Sequence, residues 1–96
     1  MQPDNPITIV IPVYNREATL ARTLGSIDAQ TVTPAAIVLV DNGSADASLS
    51  ILQQWASTRS GVTVAAEPRP GACAARNRGL AMVRTPFVMF FDSDDV

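Results

Sequence analysis

Residues 7–12 read I-T-I-V-I-P. The five residues before the proline are all β-branched and all but Thr8 are apolar, so the run leaves no polar face for water. It predicts a central strand buried on both sides, as in parallel sheets. Pro12 has no N–H to give a ladder and is expected to close the strand. Asn15 then offers an N-cap for a helix over roughly residues 16–30, where Leu20, Leu24 and Ile27 recur at helical spacing. I-V-L-V at 37–40 predicts a second buried strand. Ser44 or Asp46 would cap a second helix reaching about Trp55, with Leu49, Leu52 and Trp55 on one stripe and Trp55 anchoring it against the sheet. A shorter strand is expected at 62–65. After the stiff loop E-P-R-P-G, a helix of small residues is expected at 71–82, and F-V-M-F-F at 87–91 reads as a fourth buried strand. Strands alternating with helices through short connections predict an α/β fold, a mostly parallel four-stranded sheet flanked by helices with right-handed crossovers.

Composition narrows the function classes. Ninety-six residues make one domain, and a hydrophobic fraction of 47% against 17% charged describes a compact globule. The net charge of -2 gives no general attraction to nucleic acid. Every basic side chain is arginine, which excludes lysine Schiff-base and P-loop chemistry within this chain. The absence of histidine and a single cysteine exclude a zinc-type cluster and an internal disulfide. Cys73, among small residues in a helix, is expected to be packed. The N-terminus lacks the pattern of a signal peptide, and no stretch has the roughly 20 apolar residues that span a bilayer. A cytosolic location, or the cytosolic face of a membrane, is therefore the expectation. The chain stops one residue after its acidic cluster, so it reads as the first part of a longer protein.

Open α/β sheets bind ligands in the crevice outside the carboxyl ends of their strands, so the strand tips hold the candidates. Asp92, Asp94 and Asp95 directly follow the fourth strand, and carboxylates so crowded repel one another unless a cation or proton relieves them. Asp92 and Asp94 share one side of an extended chain. They are expected to hold Mg²⁺ or Mn²⁺, a hard cation that keeps positions open for phosphate oxygens, with Ser93 beside them on a phosphorylated ligand. The plain alternative is a solvated acidic turn. At the second tip, Asp41, Asn42, Gly43 and Ser44 make a turn presenting side-chain oxygens and backbone N–H groups. The same string matches a glycosylation acceptor, discounted without a sign of secretion. Arg76 and Arg78 point to different helix faces, and Arg76 is the one expected near a diphosphate. Tyr14 either offers its ring face to a base or packs beneath its loop, and Arg16 is similarly ambiguous.

Four segments together resemble a known pattern: I-V-I-P-V-Y-N-R-E at 9–17, V-D-N-G-S-A-D at 40–46, G-A-C-A-A-R-N-R-G-L at 71–80 and F-F-D-S-D-D at 90–95. In this order, over nearly the whole chain, they look like the nucleotide-sugar-binding half of a family 2 glycosyltransferase of the Rossmann-like GT-A fold, truncated before the acceptor-binding part. The resemblance implies that Pro12 and Tyr14 help enclose the base and that Asp41–Ser44 contact base and ribose. It implies that Arg76 lies near the base or diphosphate. It puts the D-x-D-like motif on Asp92, Ser93 and Asp94, with Asp95 beside it, contacting ribose and binding Mn²⁺ or Mg²⁺ through the diphosphate.

The implied reaction moves a sugar from a nucleoside-diphosphate sugar to a hydroxyl of a saccharide, lipid-linked or small-molecule acceptor, with inversion. Its carboxylate general base would come later in the chain, so no catalytic residue falls within 1–96. The piece by itself is expected to be inactive and prone to self-association through its open sheet. Membrane contact would come only through segments outside it. One departure is Asn42, where many members carry a second aspartate; an amide both donates and accepts, so if this position reads a base edge the base preference stays open among UDP, GDP and dTDP sugars. Two other classes remain: a module that binds the nucleotide without turnover, and a haloacid-dehalogenase-type phosphatase with Asp92 as nucleophile and Asp94 as acid/base.

Overall fold

A computed structural model of the chain describes residues 5–29 and 34–91. Among these, the order is β1 (Asn5–Val13), α1 (Glu17–Asp28), β2 (Pro34–Asp41), α2 (Ser48–Ser57), β3 (Val62–Ala66), α3 (Ala72–Leu80) and β4 (Phe87–Phe90). The strands form one four-stranded sheet in the order β3-β2-β1-β4. Every pairing is parallel, with Ile9 beside Ile37 and Met89, and Val38 beside Thr63.

This order has a physical consequence. The chain steps outward from β1 to β2 to β3, then returns past β1 to lay down β4 on the other side. Right-handed crossovers in opposite directions put their helices on opposite faces. The core accordingly has two layers. On the α1/α2 face, Ile9, Ile11, Val13, Ile37 and Leu39 pack with Leu20, Leu24, Ile27 and Leu52. On the other, Val10, Val38 and Val40 meet Ala75 of α3, with Met82, Val83 and Val88 alongside. Alternate residues of each central strand feed alternate layers, which explains the lack of polar positions in 7–11. Thr8 is the exception. Its hydroxyl lies 2.7 Å from that of Thr85, which in turn donates to the Phe87 carbonyl at 2.8 Å, tying the entry of β4 to β1.

Gly79 decides how closely α3 sits. A Cβ there would overlap Val10 Cγ1 and lie 3.2 Å from Val40 Cγ2, so the helix backbone rests directly on the strands.

Several expectations change. β1 continues through Pro12, which pairs with Val40, to Val13. Val10 accepts from the Phe91 N–H at 3.0 Å, so the alternate residues facing β4 are 10 and 12. The rung that proline cannot make is therefore the next one toward β4, where that ladder ends. β4 is not a buried strand. It forms an edge, and Phe87, Met89 and Phe90 are 61%, 49% and 41% exposed, because among the described residues no element covers that end of the sheet. Asn15 does not cap α1: its φ is +50° and its side chain faces another loop, while Arg16 holds the cap position. Trp55 does pack against the core on the α1/α2 face, but only half-buried, and it also ties α2 to α1, its ring beneath Arg59 at 4.2 Å and its Nε1 donating to Asp28 Oδ2 at 3.4 Å. Cys73 is exposed, since α3 turns Ala75 and Gly79 to the sheet and residue 73 falls outside that stripe.

Candidate functional site

The sheet order reverses between β1 and β4, and the tips of β1, β2 and β3 converge on the same carboxyl edge. Such a reversal opens a crevice between the outgoing connections, the place where open α/β sheets hold ligands. Tyr14 follows β1 directly and is 55% exposed, so it does not pack beneath its loop. Pro12 is half-buried at the foot of the crevice. Asp92, Ser93, Asp94 and Asp95 lie outside the described residues; Phe91, just before them, is hydrogen-bonded to Val10.

Asp41 ends β2 and is 3% exposed. Its Oδ2 accepts the Ser44 N–H at 3.1 Å, which closes the turn through Gly43, at φ +77°. Its Oδ1 is buried and, among the described residues, has no hydrogen-bond partner. Buried polar oxygens are almost always satisfied, so an orphan at a strand tip is an acceptor that a bound molecule can satisfy.

The loop after β2 is fastened on both sides. Toward β1, Asn15 N donates to Ser44 Oγ at 3.0 Å, and Asn15 Oδ1 accepts from Ala45 N at 2.7 Å. That exchange explains the left-handed backbone of Asn15, a conformation asparagine tolerates better than most residues. Arg16 N donates to Ser48 Oγ at 2.9 Å. Asp46 serves both helices: Oδ2 takes the first N–H of α1 (Glu17, 3.1 Å) and Oδ1 the first N–H of α2 (Ser48, 2.9 Å). The Ser48 hydroxyl, then the Ser48 and Glu17 backbone N–H groups, hold the Asp46 carboxyl below its ordinary range. Ala47, not Asp46, holds the cap position of α2, but from the position before it Asp46 takes the first N–H of that helix as well as of α1. Ser44 spends its hydroxyl on Asn15 instead.

Toward β3, Asn42 is buried and bonded to the loop 67–71. Glu67 at the head of that loop is 5% exposed, and its carboxylate accepts from Arg69 N at 2.9 Å and Arg69 Nε at 3.1 Å. Arg69 holds the Glu67 carboxyl below its ordinary range, with a smaller contribution from the charge of Arg78. On α3, Arg76 is half-buried and lies about 160° around the helix from Arg78.

The structure thus brings Pro12, Tyr14, Asp41 and Asn42 to one edge, and carries Arg76 on α3, which packs over β1 and β2. Sequence reasoning missed Glu67, and it assigned Asn15 a helix cap in place of its bridge between loops. A glutamate two residues before an arginine at a strand end was the available signal for the first. Among the described residues, no group of three or more Asp, Glu, His or Cys side chains is placed to hold a metal ion. Among them, too, no helix is long and apolar enough to cross a membrane.

A family model, glycosyl transferase family 2, matches residues 8–96. The chain belongs to this family. The match takes in all four segments, three of which a dehalogenase-type phosphatase left unexplained. Among relatives, glycosyltransferase GlyA of Streptococcus pneumoniae is 39% identical over 92 residues, covering 96% of this chain and 13% of its own. Among solved structures, the mannosyltransferase PcManGT of Pyrobaculum calidifontis, in complex with GDP-Man and Mn²⁺, superposes with a TM-score of 0.82 at 27% identity, covering 96% of this chain and 30% of its own. S. aureus TarS 1-349 in complex with UDP gives 0.81 at 28% identity, covering 92% and 27%. The family 2 chain described here thus spans between about an eighth and a third of the length of these proteins.

Proposed function

We propose that this chain is the donor-binding part of a glycosyltransferase that moves a sugar from a nucleoside-diphosphate sugar to an acceptor hydroxyl. The observation that carries the reading is the buried, unpartnered Asp41 Oδ1 at the edge where the strand tips converge. It is an acceptor in want of a donor, such as a base N–H or a ribose hydroxyl. The complexes of similar proteins with UDP and with GDP-Man support a nucleotide there.

In this reading Tyr14 lays its exposed ring against the base and Pro12 forms the floor below it. Asp41 orients base or ribose through Oδ1 while Ser44 holds its other oxygen. Arg76 faces the diphosphate from α3, where a fixed guanidinium offsets charge developing on the departing nucleotide. Asp92 and Ser93 contact ribose and diphosphate. Asp94, with Asp92 and Asp95, would hold Mn²⁺ or Mg²⁺; an all-oxygen donor set of carboxylates suits both. Such an ion supplies charge neutralisation to the leaving diphosphate. The acceptor is a saccharide, a lipid-linked sugar or a small molecule, and none of residues 1–96 is assigned as its general base. A place in the cytosol or at the cytosolic face of a membrane belongs to the same reading, and a single cysteine, which can form no internal disulfide, fits it.

The test is calorimetric titration of the full-length protein with UDP, GDP and dTDP, with and without Mn²⁺, alongside Asp94→Ala. Metal-dependent binding of one nucleotide, lost in the variant, is the expected result. Binding of none, or binding indifferent to metal and to Asp94, would sink the reading.

A further inference from the structure

We infer that Asn42 is a positioning residue that fastens the 67–71 loop to the tip of β2, and that its side chain takes no part in selecting the nucleotide base. The second half rests on the nucleotide-sugar reading above; the first stands on geometry. Asn42 is 8% exposed. Its Nδ2 donates to the Glu67 carbonyl at 2.9 Å and the Arg69 carbonyl at 2.7 Å, and its Oδ1 accepts the Gly71 N–H at 3.1 Å. Chemistry fixes the orientation of the amide. Two carbonyls require the NH₂ and an N–H requires the oxygen, so a flipped amide would oppose like with like at all three contacts. The backbone N–H is spent as well, on the Val13 carbonyl at 2.8 Å.

An amide that reads a base edge offers a donor and an acceptor side by side. Asn42 has no donor left to offer. Both of its side-chain protons go to the loop.

The loop needs this fastening. E-P-R-P-G carries two prolines without N–H groups; the Glu67 N–H reaches the Asp41 carbonyl at 2.9 Å and the Arg69 N–H the Glu67 carboxylate, which leaves the Glu67 and Arg69 carbonyls and the Gly71 N–H to be satisfied. Asn42 satisfies three of these groups at once. Gly71, the last of them, has φ +111° and is the N-cap of α3. Where the loop sits therefore sets where α3 begins, and with it the approach of Arg76 to the crevice. An aspartate at 42 has the same shape but no donors, and would set its carboxylate against two carbonyl oxygens.

The experiment pairs amide hydrogen exchange on the ligand-free full-length protein with UDP, GDP and dTDP titrations of wild type, Asn42→Asp and Asn42→Ala. In wild type the Gly71 amide, though on an exposed residue, is expected to exchange at least about tenfold more slowly than an unstructured amide. Both variants should lose that protection and weaken every nucleotide by a common factor, leaving the ratios among the three within about twofold. A ratio shifted by about tenfold or more in Asn42→Asp, with Gly71 still protected, overturns the inference. So does unprotected exchange of Gly71 in wild type, a measurement that survives even if the variants fail to fold. Binding of no nucleotide by wild type overturns the nucleotide-sugar reading and the second half with it, while a protected Gly71 amide still upholds the fastening.

Discussion

Replacing Gly79 by alanine sets two effects of opposite sign against each other, and the structure decides between them. In an exposed helix the change is favourable by about 1 kcal/mol, because glycine loses more backbone freedom than alanine. Here the new Cβ would overlap Val10 Cγ1 and crowd Val40 Cγ2 at 3.2 Å. Val10 and Val40 are fully buried on the central strands, and a β-branched side chain there has little rotamer freedom to yield. Restoring a carbon–carbon separation of ~3.5–4.0 Å means lifting α3 off the sheet by about an ångström. Overpacking of this kind costs ~1–3 kcal/mol, so the expected net effect is a loss of up to about 2 kcal/mol after the helix gain is subtracted. Gly25→Ala is the matched control. Gly25 lies inside α1, is exposed and has nothing within 4 Å of its Cβ position, so only the favourable term of about 0.5–1 kcal/mol remains. Urea unfolding of the full-length protein, with midpoints compared at unchanged slope, reads both. If Gly79→Ala stabilises as Gly25→Ala does, the close seating of α3 on β1 and β2 is wrong.

Three further outcomes follow from the same geometry. Asp41→Asn should lower nucleoside-diphosphate affinity by about tenfold or more in calorimetry while the unfolding midpoint stays level or rises, because a buried unpartnered carboxylate oxygen is held for a ligand and not for stability; unchanged affinity would remove Asp41 from the site. Asp46 and Glu67 are both held below the ordinary carboxylate range. Their contribution to stability is therefore complete above about pH 5 and is lost as pH falls through the lowered values; an acid limb unaltered in Asp46→Asn or Glu67→Gln would contradict this. Trp55 is the only tryptophan and lies under Arg59, which bonds Asp28 and holds its carboxyl low. Arg59→Met should shift its emission while leaving nucleotide affinity within about twofold, and a large affinity loss would connect that helix pair to the crevice.

The α/β alternation, the buried strands at 7–11 and 37–40 and the candidate tips at Tyr14, Asp41 and Arg76 follow from chain-local facts: β-branched runs, helical spacing of leucines, glycine and proline between elements. A local pattern reports whether a segment is apolar, but not which neighbour covers it. F-V-M-F-F and I-T-I-V-I look alike on that account, yet one is an exposed edge and the other the centre of the sheet, because the strand order puts β4 outermost among the described strands. The same limit applies to polar residues. Asn15, Asn42, Asp46 and Glu67 each have several local uses, as caps, turns or solvated side chains, and sequence spacing ranks these without choosing. Partners 25 to 30 residues away made the choice: Asn42 spent its amide on the loop after β3, and Asn15 and Asp46 joined the loops after β1 and β2. The residue types at the site were thus settled by the sequence. Which polar groups found partners, the Asn42 amide and not, among the described residues, Asp41 Oδ1, depended on hydrogen bonds that only the folded chain could form.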